Sequence, residues 1–386
     1  MTAPVILAYG FRPFFLLAPL AAWGAVVPLP VLWMGLGGGG GDLAIGAWHG
    51  HEQVFGYLGA ALAGFLLTAL PSWTDTPPVT GRPLAALAAL WLAGRIAFWL
   101  DGLLPPAVVA GLDILFLPAL LAASLPKGRP WEFPAALVAL TLCNAAFHLG
   151  RLDIVPVDPT RAVVAALDLF LVLIAVALGR ILPVTLRSAL IETDRAPMVR
   201  LAPGRRHLAA VTLLLFGVAE AVAPNSAVTG WIALAAACAT LDRMGESHIG
   251  VALARPQAGL FYLGQAAIAA GLVLLGLSML GFAIEPVSAR HALALGGGGL
   301  TALAVQSVVS LRHTGRPFPL PAAVWAPAAL VAAATLLRVA VPHWVPEAMA
   351  IWGVLVPSAL WALAFALWLH VFAPWLVAPR ADGKPG

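Results

Sequence analysis

Apolar runs of about 20 residues recur from one end of this chain to the other, separated by short stretches of Pro, Gly and charge. A run of that length matches the hydrocarbon thickness of a bilayer. Every backbone N–H and C=O there must be satisfied internally, so only helices or a closed barrel can cross. The runs lack the alternation of barrel strands, which predicts an all-α fold, a polytopic membrane helical bundle. Composition agrees, since 10% of the 386 residues are charged, against about 25% in soluble domains. The runs predict about twelve transmembrane helices, at 14–36, 49–70, 83–101, 104–125, 131–150, 162–184, 207–223, 227–243, 258–280, 290–311, 321–341 and 347–374. The first lacks a small-residue cleavage site of the usual form and is expected to be an anchor, not a removable signal.

Charge placement orients the bundle. An even number of spans puts both termini on one side. With both in the cytoplasm, Arg151, Arg161, Arg290 and Arg338 fall outside, Arg95 falls within a span, and the other 16 of the 21 Lys and Arg fall inside. That skew follows the positive-inside rule and predicts an N-in/C-in topology. The formal charge of +4 is scattered over short loops, so the expected surroundings are a lipid bilayer and no nucleic acid. The whole chain, 1–386, reads as a single membrane domain with two groups of six spans, 1–186 and 205–386. The hydrophilic stretch "LRSALIETDRAPMVRLAPGRR" joins them as a cytoplasmic linker. A hint of internal repetition accompanies this division: spans 2 and 10 each begin near a histidine outside and lead to "TGRP" inside, at 80–83 and 314–317.

The cysteines limit the chemistry. Cys143 and Cys238 form neither CxxC nor CxxCH, which removes the common signatures of thiol-ligated zinc and covalent haem and leaves them as small apolar residues. The histidines are more informative. His49, His51, His148, His291 and His343 fall at or beside the outer ends of spans 2, 5, 10 and 12, while His207, His248, His313 and His370 fall toward the cytoplasm. His291 and His313 cannot share one site along a straight helix, because 22 residues at about 1.5 Å each span roughly 33 Å. Imidazoles brought to one level by several helices are the arrangement a bound metal or haem requires.

"AWHGHEQVFGY", residues 47–57, places His49, His51 and Glu52 at the mouth of a span, where ionisable groups are costly unless they bind something. At about 100° per residue, His49 and His51 point roughly 200° apart, whereas His49 and Glu52 share a face. The pattern admits two adjacent metal centres, or a histidine that caps the helix and bonds a carbonyl. Gly56, Ala60 and Gly64 below His49 form a small-residue stripe that admits a helix or a flat macrocycle. Asn144, one turn before His148, is a candidate outer partner for it. Four consecutive glycines, Gly296–Gly299, follow His291 and imply close packing or a planar ligand against the backbone. His313 reads as a loop residue near headgroups, or as a structural or gating group. His343 and His207 read as surface or interfacial, and His370 as snorkelling.

Four other charges lie within spans: Arg95, Asp113, Asp168 and Glu220. Arg95 and Asp168 match in depth as an ion pair. The alternative is that Arg95 meets an anionic cofactor group such as a haem propionate. Glu52 and Asp168 are candidate proton relays.

The segments "FRPFFLLAPL" (11–20), "AWHGHEQVFGYLGAALAGFLLTALPSWT" (47–74), "GRPLAALAALWLAGR" (81–95), "GRILP" (179–183) and "HALALGGGGLTALAVQSVVSLRHTGRP" (291–317) together resemble the NnrS family, in order and over most of the chain. The chain departs from the family where it reads "QSVVSLRHTGR", with the basic residue moved next to His313. The resemblance implies a multi-pass protein of the bacterial inner (cytoplasmic) membrane that holds haem and copper and serves nitric oxide metabolism and resistance to nitrosative stress. His49, His51 and Glu52 match its HxHE element, and His148, His291 and His313 its other recurring histidines.

With no CxxCH the haem is a b-type haem, and neutral imidazole suits both haem iron and copper. On this reading His51 and His291 ligate haem, Arg95 contributes to binding it, and His49 and His148 hold copper. Glu52 is the catalytic candidate, as ligand or proton relay. The implied chemistry is that of an oxidoreductase: two nitric oxide molecules, two electrons from an unidentified donor and two protons give N2O and water. A non-catalytic haem sensor or sink and a twelve-span solute or metal transporter are the rival readings.

Overall fold

The computed structural model describes residues 4–33, 44–125, 131–191, 199 and 202–384, and among these the chain is all-helical. The helices fall where the apolar runs predict them. They are α1 (Phe11–Gly24), α2 (Ile45–Thr74), α3 (Gly81–Trp99), α4 (Pro106–Ser124), α5 (Glu132–Arg151), α6 (Pro159–Ala189), α7 (Pro203–Val222), α8 (Ala227–Met244), α9 (Pro256–Met279), α10 (Pro286–His313), α11 (Ala322–Trp344) and α12 (Pro346–Val377). Among the described residues nine helical stretches are long and apolar enough to cross a membrane, the first of them running Phe11–Leu32. Charges dilute the other three: Arg82 and Arg95 in α3, Arg205 and Glu220 in α7, Asp242 and Arg243 in α8. The architecture is that of a multi-pass membrane protein. Residues 34–36 of the first expected span lie outside the described residues, as do 192–198, 200 and 201 of the linker. So do Lys127, Arg129, Arg195 and Arg200, which carry part of the charge skew.

Contacts divide the chain into two compact units. The first contains α1–α5 and the opening of α6 up to Ala166, together with residues 312–316 and 368–386; the second contains residues 167–311 and 317–367. In the second unit Leu171, Phe216, Leu272, Leu275 and Leu293 form a buried apolar core drawn from α6, α7, α9 and α10.

The two helices containing the motifs at 47–74 and 291–317 are the most buried of the nine, at 94% and 83% of their apolar windows. Both depart from regular α geometry at the same relative place. A π-helical stretch, Glu52–Leu58, begins directly after His51, and another, Ala292–Gly299, directly after His291. Such wide turns rotate and re-aim the side chains around them and concentrate at functional sites. The shared "TGRP" therefore has a structural counterpart, a histidine seated at the entrance of a π turn.

The small residues of both helices serve helix packing. A Cβ on Gly64 would come within 2.5 Å of the Phe15 ring of α1. A Cβ on Gly296, Gly297 or Gly299 would strike Ala267, Ile268 or Trp361 respectively. Close approach of α9 and α12 thus accounts for the glycine run without a planar ligand.

The first unit also ties down the chain's last residues. The buried Arg12 guanidinium donates to the carbonyls of Leu376 (2.7 Å) and Ala378 (2.8 Å), capping the end of α12. Arg380 donates to the His313 carbonyl (3.1 Å), and the Ala381 N–H to Thr314 O (2.8 Å). The Arg380 guanidinium holds the exposed Asp382 carboxyl down at about 2, aided by the Lys384 N–H. Its contribution to docking the tail is complete above the ordinary carboxylate range and is lost as pH falls through about 2.

Gly64→Leu must displace the Phe15 ring or the helix that carries it, and overpacking of this kind typically costs about 1–3 kcal/mol. The expected result is a lower unfolding temperature of the detergent-solubilised protein than that of wild type, while Gly250→Ala, at a position with nothing among the described residues within 4 Å of the added Cβ, leaves it unchanged.

Candidate metal centre

The site of the first unit is built from four helices. Its geometry begins with Gly94, where an added Cβ would lie 3.2 Å from the Asp113 Cα and 3.3 Å from the Leu112 carbonyl. The missing side chain lets α3 press against α4 at Asp113, and the next residue, Arg95, reaches across. One Arg95 Nη donates to Glu52 Oε1 and the other to Asp113 Oδ1. All three side chains are buried, with relative exposures of 6%, 1% and 3% for Arg95, Glu52 and Asp113. Ionised carboxylates at such depth are tolerable because the guanidinium bridges them. Arg95 is therefore taken up by Glu52 and Asp113, in place of the depth-matched Asp168, which belongs to the second unit.

The remaining oxygen of Asp113 meets two imidazoles. Asp113 Oδ2 lies 3.1 Å from His51 Nε2 of α2 and 2.8 Å from His148 Nε2 of α5. Both histidines are fully buried. Asn144 Oδ1 sits 3.0 Å from His51 Nε2, so the amide one turn before His148 partners His51 instead. Among the described residues His51, Asp113 and His148 form one group whose ligand atoms all lie within 4.8 Å of one another. Two imidazoles and a carboxylate are a familiar donor set for a first-row transition metal.

Aromatic rings close the site. The His51 ring lies 4.3 Å from the centroids of both Phe98 and Phe147 and 4.8 Å from that of Phe55. Phe98 in turn lies beneath the guanidinium carbons of Arg95 (5.8 Å) and Arg151 (5.9 Å), and Arg151 pairs with Asp101 at 2.5 Å. The Nε2 of His51 faces Asp113 and Asn144. The Nδ1 atoms of His51 and His148 are buried without a hydrogen-bond partner among the described residues. A metal on the Nε2 atoms would place protons at those positions, where a ligating histidine usually has an acceptor. Glu52 Oε1, held by Arg95, lies 4.0 Å from His51 Nδ1.

The other expected site residues lie elsewhere. His49, two residues before His51 in the regular opening turns of α2, donates its Nδ1–H to the Ala25 carbonyl at 2.8 Å. His291, in the second unit, donates Nδ1–H to the Val287 carbonyl at 2.7 Å, which fixes the tautomer with the lone pair on Nε2. His313, partly buried, lies near the rings of Tyr9 (5.7 Å) and Phe11 (5.8 Å) in the first unit. His343 accepts from the Glu285 N–H at 3.0 Å. Asp113 went unrecognised as a donor in the sequence, where it stood only as one of four charges inside spans. The signal that identifies it is the "GR" of 94–95, a small residue beside a lone guanidinium that needs an acid within its own reach.

Fold and site together define a multi-pass, all-helical membrane protein with a buried two-histidine, one-aspartate group able to hold a metal ion. The family model described as NnrS protein matches residues 5–380. The chain belongs to the NnrS family. The comparison with curated proteins gives no match.

If this group holds a metal, His51→Ala and His148→Ala each abolish the metal that co-purifies with the protein, and His343→Ala retains it. Asn144→Leu, which removes an acceptor from the same Nε2 that the metal would take, leaves the metal in place. Elemental analysis and competition with a chelator read both effects. Unchanged metal content in the two histidine variants would contradict the assignment.

Proposed function

We propose that this protein binds nitric oxide at a copper ion held by His51, His148 and Asp113, and reduces it to N2O. The observation that carries the reading is the convergence of three buried donor groups from three separate helices in a member of the NnrS family. Charge supports the metal. With neutral imidazoles, the ionised Glu52 and Asp113 and the cationic Arg95 leave one net negative charge in a low-dielectric site, and a univalent copper neutralises it. Nitric oxide is small, uncharged and soluble in lipid, so an enclosed site within a helical membrane protein is open to it.

When bound, copper supplies the redox chemistry by which two nitric oxide molecules, two electrons and two protons become N2O and water, the electrons coming from a donor protein. The chain's own residues position and protonate. Arg95 holds Asp113 Oδ1, so that Oδ2 faces the imidazoles. Phe55, Phe98 and Phe147 exclude water from the His51 ring. Glu52 is the group that takes up and passes on the proton; its Oε1 accepts from Arg95 and its Oε2 from the Trp99 Nε1–H at 3.2 Å, contacts that hold the carboxyl in place. The second cofactor of this reading is a b-type haem. His291 would hold it through Nε2, the nitrogen left to it by the donation of Nδ1–H to the Val287 carbonyl.

The reading places twelve spans in the bacterial inner membrane with both termini in the cytoplasm, and the metal toward the periplasm. The 16 inward Lys and Arg support that orientation. The physiological outcome is protection against nitrosative stress.

Purified protein supplied with an artificial electron donor and nitric oxide is expected to release N2O over many turnovers. Glu52→Gln should retain the nitric oxide-induced spectral change while turnover falls by about 10²–10⁴, the usual share of a positioned proton donor. Stoichiometric binding without N2O would instead identify a sink or sensor. Absence of any nitric oxide-induced spectral change in metal-replete protein would end the proposal. A Soret band lost in His291→Ala supports the haem assignment, and a Soret band that survives contradicts it.

A further inference from the structure

A second charged group lies in the second unit, and its charges do not balance. Glu220 of α7 is 5% exposed and pairs with Arg290 at the start of α10 through both carboxylate oxygens, one of them at 3.2 Å. Asp168 of α6 is 4% exposed. It is pressed against α7 where that helix carries Gly217, since a Cβ there would stand 3.1 Å from the Asp168 Cβ. Gly217 and Glu220 lie three apart on one face of α7, so Asp168 faces the Glu220 carboxyl, with Arg290 beyond. These two are the titratable groups that face it among the described residues. Neither oxygen of Asp168 has a hydrogen-bond donor among the described residues.

Two carboxylates facing each other within an apolar helix bundle cannot both be ionised when the one guanidinium engages only one of them, unlike Arg95, which bridges both of its acids. Each is an acceptor only, so no hydrogen bond joins them unless a proton stands between. Arg290 is already engaged with Glu220, and leaving Asp168 charged with no donor costs more than protonating it. We infer that Asp168 and Glu220 form a proton-binding site, in which one exchangeable proton is held between two carboxyls and Arg290 neutralises the remaining charge. The ligand is a proton. The inference does not rest on the nitric oxide reading, since it uses none of the groups assigned to the copper.

The test is infrared difference spectroscopy of the full-length protein in lipid, with Asp168→Asn, Glu220→Gln and Arg290→Gln compared with wild type, each first shown to be monodisperse. Wild type is expected to show a carboxylic-acid C=O band that shifts in D2O. Asp168→Asn and Glu220→Gln should both lose it, because the single carboxyl left in each is ionised by Arg290. Arg290→Gln should strengthen it, because two carboxyls then lack a counter-charge. The opposite signs keep the test decisive if one variant fails to fold. A wild-type spectrum without such a band, or a band that survives both carboxyl substitutions, would overturn the inference and point to a bound cation or an ionised Asp168.

Discussion

Hydrocarbon does not tolerate an uncompensated charge, and the first unit is organised around that fact. Arg95 has no water to turn to, so it bridges Glu52 and Asp113, and in doing so fastens α3 to α2 and α4. Removing one partner of a buried pair of this kind generally costs about 3–5 kcal/mol, because the other is left charged and unpaired. The same bridge sets the chemistry. Asp113 has one oxygen occupied by Arg95 and one directed at two imidazoles, and that asymmetry turns a structural ion pair into a candidate ligand.

Local irregularities position these groups. Gly94 lets the helices come close enough for Arg95 to reach. The π stretch after His51 interrupts the regular turn just where His51 and Glu52 must serve different partners, Asp113 for one and Arg95 for the other. His49, on the regular turns before it, is directed instead to the Ala25 carbonyl. Three neighbouring ionisable residues thus have three separate environments. The second unit repeats the device with His291 and a π stretch of its own, but there the guanidinium of Arg290 engages only one of the two buried carboxyls.

The helices were legible because lipid imposes a length and an apolarity that no other environment does; α5, expected at 131–150, is Glu132–Arg151. The divergence of His49 and His51 was legible too, since it follows from helical angle alone. Partners across helices were not. Depth along the membrane normal joined Arg95 to Asp168, but depth does not say which helices are neighbours, and the glycine that brings α3 onto α4 decided the pairing. Asp113 was missed for the same reason. The glycines at 296–299 admitted either a ligand or a helix, and only the positions of Ile268 and Trp361 show that helices fill the space.

The central claim is that His51, His148 and Asp113 close around one metal ion. X-ray absorption at the metal edge of the purified protein tests it most directly. The account predicts multiple scattering from two imidazoles with an additional oxygen neighbour, falling to one imidazole in any metal retained by His148→Ala. A spectrum without imidazole scattering, or one identical in wild type and His148→Ala, would contradict it.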